Sequence, residues 1–204
     1  MNTFQAFSIF FHVCEVDFDF TTLRKDLRYA KNSKQKGYGN YHDGQYRILE
    51  DHLELKKLLE FKFDRFFENL YGVDCKNKIT TSWMTRLERG DSIHRHNHKN
   101  CQWSGVLYYG EYDDNSCPLM FENPLPALFC FDHKADNDCP AHSDIAIPPN
   151  TGYAVFFPAY LPHYSRPHNT NIPRQSLAFN LVPTTHMVSG DSSLNYEWIT
   201  NQNL

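Results

Sequence analysis

Three histidines lie within the five-residue run His94-Arg95-His96-Asn97-His98. Imidazole is the commonest side-chain ligand for metals. In an extended chain alternate residues point to the same face, so the three rings would share one side. At a rise of about 3.3 Å per residue, adjacent rings of the set start about 6.6 Å apart and can converge on one ion, whereas the outer two start about 13 Å apart. His96 is therefore the shared ligand, paired with either His94 or His98; the alternative is a solvent-facing turn that binds no metal.

Later in the chain, a single histidine follows one apolar segment, and an arginine begins a second segment. The run 152–158 is apolar and precedes His163, and Arg174 begins the run 174–181, in which large apolar residues alternate with small or polar ones. Arg174 and Ser176 would share one face of such a strand. A guanidinium beside a hydroxyl can hold a carboxylate through charge-assisted hydrogen bonds. The alternative is a surface arginine on an edge strand.

A second metal site is conceivable between these segments. Cys130, His133, Cys139 and His142 offer four ligands of the kind that zinc uses. Neither half of the set has a standard zinc-ligand spacing, and four aspartates lie among or beside them. A polar surface loop is the favoured interpretation.

The elements that must position these groups fall into two parts. The first third predicts two helices, one from Thr21 toward Ala30 and a longer one over 48–71, whose apolar residues recur every three or four positions and which Gly72 ends. After about residue 78 the chain predicts short strands over 79–87, 103–109, 119–122, 152–157 and 175–182, with a weaker candidate over 144–147. Strands without crossover helices indicate a mainly β fold, an antiparallel sandwich or barrel covered on one side by the N-terminal helices. We expect one structural domain, with a helical segment over 1–78 packed on a β core over 79–204.

Composition limits the classes of protein that fit. With 204 residues, of which 41% are hydrophobic and 15% aromatic, the chain can form one packed domain, and disorder is excluded. The net charge of −4 gives no overall electrostatic case for a nucleic-acid or membrane partner, although a local nucleic-acid groove stays open. Neither a membrane span nor a basic leader is visible, and so we expect a cytoplasmic protein whose six cysteines are reduced.

The order of these groups resembles a known family. The chain has an H-x-H pair, then a long intervening segment, and then His163, which is followed after ten residues by Arg174-x-Ser176. This order resembles the pattern of the iron(II)- and 2-oxoglutarate-dependent oxygenases. The likeness covers about residues 79 to 183. Gly90-Asp91, the run 103–109 and the run 156–163 look most like the small oxygenases of this class found in phages and marine bacteria. The prolyl-hydroxylase branch shares the strand that ends in paired tyrosines.

The resemblance implies a double-stranded β-helix (a jelly roll, cupin-like) with Fe(II) as cofactor and 2-oxoglutarate as co-substrate. It makes His96 the first iron ligand and His163 the distal one, and it places His98 where the family usually has a carboxylate. The chain departs from the family here, because no Asp or Glu follows His96 at two residues and the next acid is Glu111. Whether His94 replaces His98 stays open.

The resemblance also assigns the co-substrate pocket. It implies that Arg174 pairs with the far carboxylate of 2-oxoglutarate, assisted by Ser176 and Tyr109. The implied activity is hydroxylation of an unactivated C–H bond with release of succinate and CO2. The leading substrate is a peptidyl prolyl group, with a peptide or a small molecule as the broader class. Aromatic residues that could line a substrate cleft are Tyr38, Tyr41, Tyr46, Trp83 and Trp103.

Two other functions compete with this interpretation. A three-histidine iron site on a cupin barrel would oxidise its substrate without 2-oxoglutarate, and Arg174-x-Ser176 argues against it. A non-catalytic jelly-roll module would hold zinc or no metal at the same histidines. The sequence does not determine an oligomeric state.

Overall fold

The computed structural model describes residues 9–29, 46–124, 144–185 and 191. Two antiparallel sheets form its core, one of five strands in the order β1-β6-β3-β8-β2 and one of three strands in the order β5-β4-β7. The strands are β1 His12–Glu15, β2 Asn77–Leu87, β3 Trp103–Tyr108, β4 Leu119–Glu122, β5 Asp144–Ile147, β6 Tyr153–Pro158, β7 His163–Ser165 and β8 Arg174–Pro183. The helices are α1 Thr21–Lys25 and α2 Leu53–Tyr71, with a 3-10 turn at Ile48–Glu50. The prediction of a mainly β fold with antiparallel sheets is confirmed.

The large sheet is buried on both faces because its strands alternate. Leu177, Phe179 and Leu181 of β8 face the helical layer and form one core with α2. The residues between them face the small sheet, where a second core joins β3, β4 and β6. The rings of Phe121 in β4 and Phe157 in β6 lie 4.9 Å apart across this second interface. The two sheets therefore enclose a space in which side chains from both can meet.

Helix α2 covers the outer face of the large sheet, as its periodicity predicts. Leu55, Leu59, Phe63 and Phe67 recur every fourth residue and are buried. Gly72 ends the helix with a φ of 69°, a conformation that favours glycine. Glu60 is buried on the same helix, where its carboxylate accepts hydrogen bonds from Lys78 Nζ at 2.9 Å and from the Ile79 amide at 3.0 Å. The helix is thus fixed to the start of β2.

The first predicted helix is much shorter than its pattern suggests. Helix α1 ends at Lys25, and the capping residue that follows it, Asp26, has an extended ψ of 117°. The Asp26 carboxylate bonds the backbone amide and the guanidinium of Arg28, which competes with continuation of the helix. Leu27, which would lie on the apolar face of a helix that continued toward Ala30, is 72% exposed. Ala30 lies outside the described residues.

Two strands were not predicted. Strand β1 is four residues long and forms the edge of the large sheet beside β6, and β7 spans only His163–Ser165 beside β4. Runs this short carry too little alternation to be distinguished from loops. The structure adds that no helix among the described residues is long and apolar enough to cross a membrane.

Candidate metal centre and carboxylate pocket

Three histidines from two distant segments converge between the sheets. His96 and His98 lie in the connection between β2 and β3, and His163 begins β7. Backbone hydrogen bonds join the segments: the His96 amide donates to the His163 carbonyl at 3.0 Å, and the His163 amide donates to the His96 carbonyl at 2.8 Å. One ligand atom from each of the three imidazoles lies within 4.8 Å of the others. These are the three residues that the resemblance to the oxygenases implies, whereas the histidine run by itself left His94 open in place of His98.

The histidine run does not form a regular extended strand. Only His96 forms a β-bridge, and the flanking residues are irregular. The His98 amide donates to Ala159 at 2.9 Å, which holds the segment against the end of β6. His94 is exposed and lies outside the cluster. The pairing left open by the sequence is thus decided by these backbone contacts, which bring in His98 and leave out His94.

Two of the rings have a defined tautomer. Nδ1 of His96 lies 2.8 Å from the His94 carbonyl oxygen, and Nδ1 of His163 lies 2.9 Å from that of Leu161. Because a carbonyl only accepts, Nδ1 carries the proton in both rings and Nε2 presents its lone pair to the cluster. The Nε2 atoms of His98 and His163 are 3.1 Å apart. Two ligands about 2.1 Å from one ion and at right angles to each other would have about this separation.

Burial keeps the imidazoles neutral. It is the largest influence on all three pKa values and is reinforced by a neighbouring ring in each case, His94 beside His96 and His96 beside the other two. The pKa of His98 is lowered to about 4 and that of His163 to about 3, and the pKa of His96 is also lowered. A metal ligand must be unprotonated, so at neutral pH no proton has to leave.

Arg174 is a buried cation in the same space. It is 1% exposed, and its Nη2 donates to the Tyr108 hydroxyl at 2.9 Å while its guanidinium lies 5.0 Å from the centre of the Tyr108 ring. Its Nε and Nη1 have no hydrogen-bond partner among the described residues. An unpaired charge in this environment is costly unless an anion satisfies it. Arg174 therefore has N–H donors left to bind an anionic group, and a carboxylate can accept them.

A cavity of about 230 Å³ connects the histidines to Arg174. It lies between the sheets, and the aromatic residues Tyr46 and Trp83 that line it are half-buried. The described residues that line it include no carboxylate; they are Tyr46, Trp83, Thr85, Ile93, His96, His98, Gly105, Val106, Leu119, His163, Arg174, Ser176 and Ala178. Its only charged lining residue in the described part of the chain is Arg174, so the cavity attracts anions.

The structure corrects the assignment of Tyr109 to this pocket. Tyr108 lies directly opposite Ser176 in the β3–β8 pairing and contacts Arg174. Tyr109 packs in the helical core with Trp103 and Leu107 and does not line the cavity. Alternation along β3 is the physical reason, since adjacent tyrosines must point to opposite faces of the sheet.

Only some of the other residues that the sequence predicted for the site line the cavity. Ser176 lines the cavity beside Arg174, and among the five cleft aromatics Tyr46 and Trp83 line it, whereas Trp103 belongs to the core. Tyr38, Tyr41 and the second metal candidate formed by Cys130, His133, Cys139 and His142 lie outside the described residues. The sequence missed Thr85 and Ile93. The alternation of β2, in which Thr85 follows Trp83 by two residues, could have indicated Thr85.

Comparison with known proteins places this geometry in context. Residues 81–180 match the model of a family described as "Putative 2OG-Fe(II) oxygenase". No functionally curated protein is detectably similar in sequence. The fold is similar to HygX from Streptomyces hygroscopicus, solved with nickel, 2-oxoglutarate and hygromycin B bound, at 14% identity over 86% of this chain and 84% of that one, with a TM-score of 0.56.

Two further solved structures are more distant. An oxidoreductase of the 2OG-Fe(II) oxygenase family from Burkholderia pseudomallei is 14% identical over 75% of this chain, with a TM-score of 0.49, and the match spans 65% of that protein's length. A prolyl-4-hydroxylase from Pseudomonas putida is 17% identical over 69% of this chain and 68% of that one, with a TM-score of 0.40. At such identities the HygX likeness shows a common fold.

Proposed function

This chain belongs to the iron(II)- and 2-oxoglutarate-dependent oxygenase superfamily, and from that premise we propose that it is a 2-oxoglutarate-dependent dioxygenase that hydroxylates an unactivated C–H bond, releasing succinate and CO2. One observation carries the proposal. The buried guanidinium of Arg174, two of whose nitrogens have no partner among the described residues, lines the same cavity as the three neutral imidazoles. A site for a metal and a site for a carboxylate thus occur together.

The three imidazoles fit an iron(II) ion. His96, His98 and His163 would hold it through Nε2, and nitrogen donors of this kind suit iron. The bound metal supplies the oxygen chemistry, and the protein's contribution is placement and exclusion of water. The hydrogen bonds from Nδ1 of His96 and His163 to backbone carbonyls hold two of the rings in position before metal binds.

Arg174 fits the far carboxylate of 2-oxoglutarate. The guanidinium N–H groups that lack a protein partner would donate to that carboxylate, and the Ser176 hydroxyl on the same face of β8 would add a further hydrogen bond. Tyr108 fixes the guanidinium from the other side through Nη2. The opposite end of the co-substrate would then extend toward the histidines, across a cavity that both groups line.

The double-stranded β-helix and the single-domain organisation are part of the same proposal. Two facing antiparallel sheets support the first. The second is supported by strand β1, which pairs with β6 of the core, and by α2, which packs on the large sheet. The segment 1–78 would accordingly fold together with the segment 79–204.

The substrate class and the location stay predictions. A peptidyl prolyl substrate would suit the aromatic rim formed by Tyr46 and Trp83, since flat apolar faces pack against a pyrrolidine ring. Screening prolyl peptides, other peptides, nucleosides and free amino acids for substrate-stimulated succinate release would identify the class. A cytoplasmic location follows from the sequence-based expectation alone.

An anaerobic titration tests the proposal. Purified protein is loaded with Fe(II), 2-oxoglutarate is added without oxygen, and the weak visible charge-transfer band of the ternary complex is recorded; succinate and CO2 are then measured after oxygen is admitted. We expect one iron per chain, a band that saturates with 2-oxoglutarate, and slow succinate release even before a substrate is known. Arg65→Ala, an exposed arginine on α2, is the matched control for Arg174→Ala.

The same experiment separates the rival functions. Three histidine ligands without a carboxylate also suit a cupin-type dioxygenase that does not use 2-oxoglutarate. Iron binding and oxygen uptake that ignore 2-oxoglutarate would favour that enzyme. Zinc retention with neither band nor oxygen uptake would favour a non-catalytic module. Either result would overturn the proposed function.

A further inference from the structure

His168 is a buried imidazole that the proposed reaction does not use. It lies in the connection between β7 and β8, is 1% exposed, and is not a member of the histidine cluster. Polar atoms that are buried in a folded protein are generally hydrogen-bonded. Both ring nitrogens of His168 follow this rule, and each contacts a backbone group of a different segment.

The two hydrogen bonds fix the state of the ring. Nε2 lies 2.7 Å from the Ile172 carbonyl oxygen, and the Cys117 amide donates to Nδ1 at 3.3 Å. A carbonyl only accepts and a backbone amide only donates, so Nε2 carries the proton and Nδ1 is bare. His168 is therefore a neutral imidazole in the opposite tautomer to His96 and His163, whose Nδ1 atoms carry the proton.

The backbone of His168 holds a third segment. Its carbonyl accepts from the Gly90 amide at 2.8 Å, and its amide donates to the Asp91 carbonyl at 2.8 Å. Nearby, the Ile93 amide donates to Ser165 Oγ at 2.8 Å. These bonds attach the chain just before the histidine run to the β7–β8 connection.

The segments that His168 contacts all lead into the cavity. A cavity-lining residue lies two positions beyond each contact at residues 91, 117 and 172; these lining residues are Ile93, Leu119 and Arg174. His168 is not among the described residues that line the cavity, so it acts on the site only through these segments. The ring proton on Nε2 is the contact that lies closest along the chain to Arg174.

The turn before Arg174 has a second anchor that is more exposed to water. The Ile172 amide donates to Thr170 Oγ1 at 3.3 Å, and Thr170 Oγ1 donates to the Asp113 carboxylate at 2.7 Å. Ile172 is 36% exposed, and Thr170 is half-buried. A hydrogen bond from a buried donor is electrostatically stronger than one in water. The bond from His168 is therefore the firmer of the two attachments of this turn.

We propose that His168 is a positioning residue for the carboxylate pocket: its Nε2–H holds the Ile172 carbonyl and so fixes the start of β8, from which the Arg174 guanidinium projects. The inference rests on the proposed function, because it concerns the affinity for 2-oxoglutarate. The bonds to the segment before the histidine run use only the backbone of His168. Substitution of the side chain should therefore affect 2-oxoglutarate and leave the metal site intact.

Two substitutions separate the two ring contacts. In His168→Gln the side-chain amide can still donate to the Ile172 carbonyl, whereas in His168→Asn the shorter amide can only accept from the Cys117 amide. The Kd values for 2-oxoglutarate and for Fe(II) are measured anaerobically. We expect His168→Asn to raise the Kd for 2-oxoglutarate about tenfold and His168→Gln to stay within about twofold of wild type. The Kd for Fe(II) should be unchanged in both variants.

The same substitutions at His12 are the matched control. His12 lies in the edge strand β1, and its ring stacks on Phe66 of α2 with ring centres 4.5 Å apart, away from the cavity. His12→Asn and His12→Gln should leave both Kd values unchanged.

A proton signal tests the ring state without any substitution. In metal-free wild-type protein labelled with ¹⁵N-histidine, His168 should give a neutral imidazole spectrum at pH 7 with a slowly exchanging proton on Nε2. The signal is assigned by its absence from the spectrum of His168→Gln. If His168→Asn does not fold, this signal and the retained affinity of His168→Gln must both be found for the inference to stand.

The remaining outcomes separate the inference from the proposed function. A proton on Nδ1 of His168, or wild-type affinity for 2-oxoglutarate in His168→Asn, would overturn the inference and leave the proposed function intact. An equal loss of 2-oxoglutarate and Fe(II) binding in both His168 variants would show a general packing role and also overturn it. A wild-type protein that does not bind 2-oxoglutarate would overturn the proposed function and this inference with it.

Discussion

The Arg174 guanidinium donates to the Tyr108 hydroxyl and lies over the same aromatic ring, at 2.9 Å from the oxygen and 5.0 Å from the ring centre. Tyr108 is fully buried, and the Arg174 nitrogens that it leaves unpaired are Nε and Nη1. The protein thus occupies one of the three guanidinium nitrogens, and the other two are left for a ligand. Tyr108 thus determines which nitrogens of Arg174 are available to a ligand.

Removing the Tyr108 hydroxyl should weaken 2-oxoglutarate binding selectively. Tyr108→Phe keeps the ring beside Arg174 but loses a hydrogen bond to a charged group, worth about 1.5 to 3 kcal/mol. We expect a rise in the Kd for 2-oxoglutarate of about 10- to 100-fold with unchanged iron affinity, measured by the anaerobic absorbance titration. Tyr109→Phe is the matched control and should leave both constants unchanged, because Tyr109 packs in the opposite core. Equal effects of the two substitutions would contradict the assignment of Tyr108.

Removing the guanidinium should have a larger effect. Breaking one partner of a buried ion pair costs about 3 to 5 kcal/mol, since the remaining charge stays buried without compensation. Arg174→Ala should therefore abolish detectable 2-oxoglutarate binding while iron stoichiometry is retained. Arg174→Lys should restore binding only in part, because lysine has the charge without the two parallel donors. An unchanged Kd for 2-oxoglutarate in Arg174→Ala would remove the co-substrate from the hypothesis.

Substitutions of the histidines should have two distinct effects on iron binding. His96→Ala and His163→Ala should each abolish iron binding, measured as metal per chain after anaerobic loading and gel filtration. His94→Ala should retain it, because His94 is exposed and outside the cluster. Iron lost in His94→Ala and retained in His98→Ala would instead show that the pair is His94 and His96.

The position of His98 can be tested by restoring a carboxylate. His98→Asp should keep iron, because Asp two residues after His96 provides the two-histidine, one-carboxylate face that iron(II) oxygenases use. His98→Ala should lose most of it. The shorter aspartate would shift the metal, and a displacement of about 1 Å can cost about a hundredfold in rate, so we expect reduced succinate release. Near-normal iron in both variants would mean that His98 is not a ligand.

Acid stability should depend on Asp26. Burial alone would raise the pKa of Asp26, but hydrogen bonds from the Arg28 side chain and backbone and from His52 outweigh it and lower the pKa to about 2. A carboxyl with a lowered pKa stabilises the fold above its unfolded value of 3.8, and that contribution is lost as the pH falls toward 2. Urea unfolding should show Asp26→Asn less stable by about 1 to 2 kcal/mol at pH 7, a difference that shrinks between about pH 4 and pH 2. A difference independent of pH would contradict this account.

Much of the fold could be predicted because its signals are local. Six strands and the long helix α2 follow local patterns of apolar residues along the chain, which depend on the geometry of one segment. The same alternation placed Arg174 and Ser176 on one face of β8, and both line the cavity. The short edge strand β1 and the three-residue β7 carry too few residues for such a pattern.

The sequence by itself determined the identities of the reactive groups and the periodicity of the strands that hold them. It did not determine which of His94 and His98 joins His96, or which of two adjacent tyrosines meets Arg174. Those choices depend on hydrogen bonds between segments far apart in the chain: the His96–His163 bridge with the His98–Ala159 bond, and the pairing of Tyr108 with Ser176. Alternation along a strand predicts that adjacent residues point to opposite faces of the sheet. Which of the two faces encloses the site depends on the tertiary structure, because the small sheet packs on one face and helix α2 on the other.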